Sequence, residues 1–227
     1  DYGGWDRPAY YGHGREASIA RESLIVREAV GLFDGSPLGK IEVKGPDAAE
    51  FLNRIYVNTV PSLKPGKIRY GLMLTENGIV MDDGVLVRLA DEHFLINTTS
   101  GHADSIVSWL EEWHQCQWPN LDLVVLPVTS QWAVATVAGP KAREVLQALP
   151  GMVDLSTKSL PHMSIASGAF ADGIQYRIQR VSFTGELSYE LNVPADRASE
   201  IFDHIWEIGQ AHGIGLFGVE SLMVLRL

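Results

Sequence analysis

A strand, a Gly-Pro turn and a helix occur twice in this chain, and that repetition limits the folds open to it. Ile41-Glu42-Val43-Lys44-Gly45-Pro46-Asp47-Ala48-Ala49-Glu50-Phe51-Leu52 resembles Ala135-Thr136-Val137-Ala138-Gly139-Pro140-Lys141-Ala142-Arg143-Glu144-Val145-Leu146. Proline fits the first turn of a helix, where its missing N–H has no intrahelical partner, and the apolar spacing that follows has the helical period. The second parts correspond too. Strand His93–Asn97 precedes a helix near Ser105 to Trp118, and strand Tyr189–Val193 precedes one near Asp196 to His212. Each half therefore reads as strand, helix, antiparallel strands, helix. Such units give an α+β fold of two associated antiparallel-sheet subdomains, with helices covering one face of each sheet. The expected division is discontinuous: residues 1–43 and 128–227 form the first subdomain and residues 44–127 an inserted second one. Asn77-Gly78 marks a hairpin turn, and the stretch from about Glu16 to Val30 reads as an amphipathic helix. Trp109, Trp113, Phe202 and Trp206 recur at helical spacing and read as core.

Composition excludes several classes. The 227 residues are 46% hydrophobic, enough for a substantial core. A formal charge of -10 argues against a nucleic-acid or anionic-membrane surface. No apolar run has membrane length, and nothing at the start resembles a signal peptide. The single cysteine, Cys116, fits a reducing compartment, so a soluble cytoplasmic protein is expected. Both ends read as cut: the chain opens on Asp1 in an irregular Gly/Trp/Pro/Tyr-rich lead-in and closes in an apolar helix with no stop signal. The histidines are scattered with no metal-ligand spacing, no Walker loop or nucleophile elbow is present, and no G-x-G-x-x-G follows a strand to suggest a dinucleotide site.

The remaining chemistry is acidic. Asp82 and Asp83 interrupt the apolar run from Gly78 to Val87. Alternation along a strand sends one of them toward solvent and the other inward, where an ionised carboxylate is costly unless something binds it. That something is either a ligand with donors, such as an amine, or backbone amides of a hairpin. In the other half, Thr184-Gly185-Glu186 reads as a turn, and Glu190 lies between Tyr189 and Leu191 on a strand. An inward glutamate there can accept two parallel N–H donors from an aminopyrimidine-like ring, with Phe183 against the ring's face. An ordinary exposed strand residue is the other reading of Glu190.

In order, Val30-Gly31-Leu32-Phe33-Asp34, Tyr70-Gly71-Leu72-Met73-Leu74, Gly78 to Asp83, Phe183-Thr184-Gly185-Glu186 with Tyr189-Glu190, and Leu225-Arg226-Leu227 resemble the aminomethyltransferase (glycine cleavage T-protein) superfamily. Within it, Trp5-Asp6-Arg7-Pro8-Ala9-Tyr10-Tyr11, Leu38-Gly39-Lys40-Ile41-Glu42, Phe51 to Tyr56 and Phe183 to Leu187 resemble the carboxy-terminal part of heterotetrameric sarcosine oxidase alpha subunits. The glycine-cleavage proteins usually have tyrosine where this chain has Phe183, and Gly-Gly where it has Asn77-Gly78.

The resemblance implies tetrahydrofolate as the ligand. It implies that Asp82 stands near the folate's bridging amine as the catalytic acid, that Glu190 binds the pterin edge, that Tyr70 and Phe183 line the pocket, and that Arg226 and Asn97 belong to the same site. It also implies capture of an oxidised N-methyl group as methylenetetrahydrofolate. FAD, FMN and NAD are then expected elsewhere in the complex, with other subunits including a flavin-bearing beta subunit as partners. A barrel-like domain beyond Leu227 is implied as well. A glycine-cleavage-type aminomethyltransferase and a non-catalytic folate-binding or structural domain are the alternatives.

Overall fold

A computed structural model describes residues 4–227; the first three residues of the irregular lead-in lie outside them. The chain divides into two compact units. The first is built from Asp6–Ser36 and Ser130–Leu227, and the second chiefly from Pro37–Thr129.

In the second unit, β2 (Gly39–Lys44), α2 (Ala48–Ile55), β3 (Lys67–Leu74), β4 (Val80–Ala90), β5 (His93–Thr98), α3 (Ala103–Glu112) and β6 (Val124–Pro127) follow in order. The sheet runs β3-β4-β5-β2-β6 with every neighbour antiparallel. Asn77-Gly78 closes the β3–β4 hairpin, with Gly78 at φ 77 and its N–H donated to the Thr75 carbonyl at 2.9 Å. Ile41, Val43, Phe51, Leu52, Met73, Leu86, Phe94, Ile96, Ile106 and Leu110 form one core between the sheet and α2 and α3. After α3 the backbone continues as a π-helical turn, Trp113–Gln117, which carries the helix almost to Trp118.

The first unit holds α1 (Arg15–Glu28), β1 (Val30–Asp34), β7 (Trp132–Ala138), α4 (Ala142–Gln147), β8 (Ser164–Ala169), β9 (Gln175–Arg180), β10 (Ser188–Pro194), α5 (Ala198–Gln210), β11 (Ile214–Leu216) and α6 (Val219–Leu225). Its sheet runs β11-β1-β7-β10-β9-β8. All pairs are antiparallel except β1 with β11. Helices flank both faces of this sheet, where one covered face was expected. Val30 and Leu32 join the core that α4 and α5 cover, while Phe33 packs with Val26 of α1, Phe217 and Leu225 of α6. β1 is buried on both sides because alternate residues feed different cores.

The repeat is visible in both units. Gly45 and Gly139 have φ 143 and 130, and a Cβ on either would fall 2.3 Å from the Asp122 carbonyl oxygen or 2.6 Å from that of Ala29. Glycine is required at both for close backbone approach as well as for conformation. The helix-start carbonyls are matched: Ala48 N–H meets Gly45 O at 3.1 Å and Ala142 N–H meets Gly139 O at 3.0 Å. Pro46 and Pro140 lie in the turn before these helices, one residue ahead of the caps Asp47 and Lys141.

Two helices depart from the periodic reading. The buried stripe of α5 is Ile201, Ile205 and Gly209, which leaves Trp206 exposed. On α1 the buried stripe is Ser18, Glu22 and Val26. Glu22 is fully buried because its carboxylate has protein donors: the N–H groups of Tyr11 at 2.5 Å and Gly218 at 2.9 Å, and the Ser221 hydroxyl at 2.5 Å.

Candidate functional site

In the second unit, β4 carries both aspartates and separates them. Asp82 pairs with Met73 and shares its strand face with Leu86, so it points to the helix-covered side. Only 1% of its side chain is exposed. One carboxylate oxygen accepts the Thr99 N–H at 3.2 Å, and the other lies 3.1 Å from His102 Nδ1. Both partners lie at the 3₁₀ turn, Ser100–His102, that leads from β5 into α3. A buried carboxylate with no local partner in the sequence is thus satisfied, in part, from within the chain.

Tyr56 lies across from this position. It bridges Met73, the cross-strand partner of Asp82, and its buried hydroxyl has no hydrogen-bond partner among the described residues. Burial, reinforced by the negative charge of Asp82, raises the phenol well above its ordinary range, so Tyr56 stays protonated.

Asp83 faces the other way. There the Tyr70 hydroxyl donates to it from the diagonal cross-strand position, and Tyr70 is half exposed. Asn97 pairs with Lys40, next to the Ile41–Ile96 pair that enters the core, and so lies on the face of Asp83 rather than that of Asp82. Its Oδ1 is buried without a recorded partner. Gly84 makes this packing possible: a Cβ there would stand 1.9 Å from the Asn97 carbonyl oxygen. Of the three residues expected in this half, then, the strand pleat groups Tyr70 with Asn97 and sets Asp82 on the opposite side.

In the first unit, Glu190 is half-buried and shares a sheet face with Thr136 and Gln179, its partners on β7 and β9. The helix-covered core takes its neighbours Tyr189 and Leu191 instead. Gln179 is fully buried, and both atoms of its amide lack a recorded partner. Phe183 is 47% exposed, and the Arg226 guanidinium lies over its ring at 5.0 Å. Arg27 fixes the turn between them, bonding the carbonyls of Thr184 and Leu225 and pairing with Glu186 at 2.8 Å. Phe183 and Arg226 are thus brought together as an aromatic–cation pair.

His102, Tyr56, Gln179 and Arg27 were not singled out from the sequence. For His102 the only signal was its place just after β5, where the repeat predicts a helix start. A separate cleft of about 630 Å³ on the second unit is lined by Arg54, Trp109, Trp113, Cys116 and Trp118 among others, and contains none of the expected site residues. Its rings are engaged with one another and with Arg54.

The fold is that of a folate-related, GCVT-type family. The chain belongs to the GCVT N-terminal domain family, whose description matches residues 1–227. It is 42% identical over 229 residues to the sarcosine oxidase alpha subunit of Corynebacterium sp. (strain U-96), covering 100% of this chain and 24% of that protein. It is 31% identical to the aminomethyltransferase of Natranaerobius thermophilus, covering 100% of this chain and 58% of that protein. The crystal structure of the glycine cleavage system aminomethyltransferase T from Bartonella henselae superposes with a TM-score of 0.83 at 27% identity, over 100% of this chain and 57% of that one. The chain thus spans about a quarter of the sarcosine oxidase subunit and somewhat over half of the aminomethyltransferases. Among the described residues no helix is long and apolar enough to cross a membrane.

Proposed function

We propose that this chain is the tetrahydrofolate-binding, one-carbon-transfer part of a sarcosine oxidase alpha subunit. The observation that carries the reading is the Asp82 carboxylate, buried in a strand and held by Thr99 and His102, in a chain that matches such subunits along its whole length. A carboxylate so placed serves an amine that must lose a proton as carbon is added to it. On the first unit, the donor-accepting carboxylate of Glu190 and the open face of Phe183 suit the polar edge and flat ring of a reduced pterin. Arg226 supplies a permanent positive charge beside that ring for the folate's carboxylates. Tyr70, half exposed, and Asn97, buried, lie on the Asp83 face of the second unit's sheet.

In this reading a flavin-bearing beta subunit oxidises the N-methyl group, with FAD, FMN and NAD held outside this chain, and the protein works in the cytoplasm. A glycine-cleavage-type aminomethyltransferase is the second reading, favoured by the Bartonella henselae superposition. Purification of the native protein separates the two, because flavin-bearing subunits accompany the first and a lipoyl carrier the second.

Anaerobic calorimetry with tetrahydrofolate tests the binding. Specific binding that is lost or greatly weakened in Glu190→Gln is expected, and equal affinity in the variant removes Glu190 from the site. In the intact complex, Asp82→Asn is expected to lower methylenetetrahydrofolate formation by about 10²–10⁴-fold while sarcosine oxidation continues. An unchanged folate product overturns the role of Asp82.

A further inference from the structure

Phe183 and Arg226 come from segments far apart in the sequence, yet the Arg226 guanidinium stands 5.0 Å from the centre of the Phe183 ring. Phe183 lies in the irregular connection from β9 to β10, and Arg226 caps the end of α6. A third residue, Arg27 in the last turn of α1, is bonded to both segments. We infer that Arg27 is a positioning residue of the folate site, setting the spacing between the Phe183 ring and the Arg226 charge before the ligand arrives. The inference rests on the folate reading above and adds to it a residue that acts through two others.

One guanidinium makes three bonds. Its Nη1 donates to the Thr184 carbonyl at 3.0 Å and to the Glu186 carboxylate at 2.8 Å, and its Nη2 donates to the Leu225 carbonyl at 3.0 Å. Thr184 follows Phe183 and Leu225 precedes Arg226, so each carbonyl that Arg27 grips is next in sequence to a residue of the site. The Leu225 carbonyl belongs to the last turn of α6, where C=O groups lack helical partners and a cation is favoured. Gly185, at φ 81, lets Thr184 and Glu186 turn toward the same guanidinium. The Ser182 hydroxyl donates to the Glu186 carbonyl at 2.6 Å and closes the turn on itself. The bond that ties this turn to the end of α6 is made by Arg27.

The other end of α6 is held from the same helix. Glu22 of α1 accepts the N–H of Gly218, the N-cap of α6, at 2.9 Å and the Ser221 hydroxyl at 2.5 Å. α1 therefore meets α6 with a carboxylate at its positive end and a guanidinium at its negative end. The side chains of Arg27 and Glu186 are 42% and 27% exposed, and an ion pair so open to water contributes little. The two carbonyl bonds, made by different nitrogens of one planar fork, carry the positioning. Lysine offers a single nitrogen and cannot reproduce that fork.

Residues already held in place bind without the cost of ordering them. The loss of Arg27 therefore falls on affinity for tetrahydrofolate and not on the rate of carbon transfer, because Phe183 and Arg226 contact the ligand's ring and carboxylates and take no part in proton transfer.

Calorimetry and steady-state kinetics on the intact complex test this. Arg27→Met is expected to raise Kd and KM for tetrahydrofolate about 10–100-fold, the equivalent of one charge-assisted hydrogen bond, with kcat within about twofold. Arg27→Lys keeps the charge and the stem and should recover only a small part of that loss, and it carries the test if the methionine variant does not fold. Glu186→Gln, which removes only the open ion pair, is expected to change KM by less than about threefold. A merely structural role would give the same loss whatever residues stood at the site. In a background carrying Phe183→Leu and Arg226→Gln, Arg27→Met is instead expected to change kcat/KM by less than about threefold, because nothing is left for it to place. An unchanged KM in Arg27→Met, or its full effect in that background, overturns the inference and leaves the folate reading intact. A wild type that does not bind tetrahydrofolate overturns the folate reading and this inference with it, an outcome seen by calorimetry before any variant is made.

Discussion

Tyr56 and Glu22 show how differently buried polar residues are handled in this chain. The Tyr56 hydroxyl has no partner among the described residues, so Tyr56→Phe should leave stability at pH 7 within about 1 kcal/mol of the parent or slightly above it, because no made hydrogen bond is lost. A urea midpoint corresponding to a loss beyond about 2 kcal/mol shows that the hydroxyl is bonded in solution. The pH dependence has a definite sign. Burial raises Tyr56, Tyr176 and Tyr11 above the phenol value of 10.0, helped at Tyr56 by Asp82 and at Tyr11 by Asp34 and Glu22, while a backbone bond from Val153 opposes it at Tyr176. Above pH 10 the unfolded chain releases protons that the folded one retains, so stability falls as pH rises through that value. Urea midpoints at pH 9, 10 and 11 should drop, less steeply in Tyr56→Phe. Glu22, by contrast, has three donors, and Glu22→Ala strands them in the interior. A loss of about 2–5 kcal/mol is expected, read from the same denaturation curves. Neither role was legible in the sequence, because the donors of Glu22 include Gly218 and Ser221, near the other end of the chain.

At the level of elements, the repeat was readable because it is local: a β-branched strand, a glycine that alone fits the turn, a proline and an apolar helical stripe lie within a dozen residues. Pairings between distant segments were not. The parallel strand Ile214–Leu216 is three residues long and carries too little pattern to be separated from the loop that precedes α6. Which aspartate turns inward was equally hidden, since alternation fixes only that they differ; the register with Met73 decides it. His102 stayed silent because its contact with Asp82 is made by the fold of β5 into α3, not by sequence spacing. Gly84 is where β4 and β5 are most tightly constrained. Gly84→Ala places a carbon against the Asn97 carbonyl, which is backbone and cannot swing aside. It is expected to cost about 3 kcal/mol or more, or to shift the strand register, with loss of tetrahydrofolate binding as the companion readout.

For the molecule as a whole, the second unit is one continuous stretch whose ends are tied together: Val128 N–H meets Lys40 O at 2.9 Å, and Lys40 N–H meets the Thr129 hydroxyl at 3.0 Å. It has its own core around Phe51, Met73 and Phe94. Residues 37–129 expressed alone should therefore fold, with dispersed amide NMR signals and a cooperative thermal transition; a chain that stays disordered shows that this core is insufficient. The first unit has no such independence. Its β1 is paired to β7 and β11, so Leu32 waits for both Val137 and Leu216. On the ribosome these pairings set an order of events. The inserted stretch, with its hairpin, local helices and near-adjacent ends, can close while the first unit is still being made, whereas β1 must keep one edge open until β7 has been made and the other until β11 has followed. The segment most in need of chaperone protection during synthesis is thus β1, near the beginning of this chain.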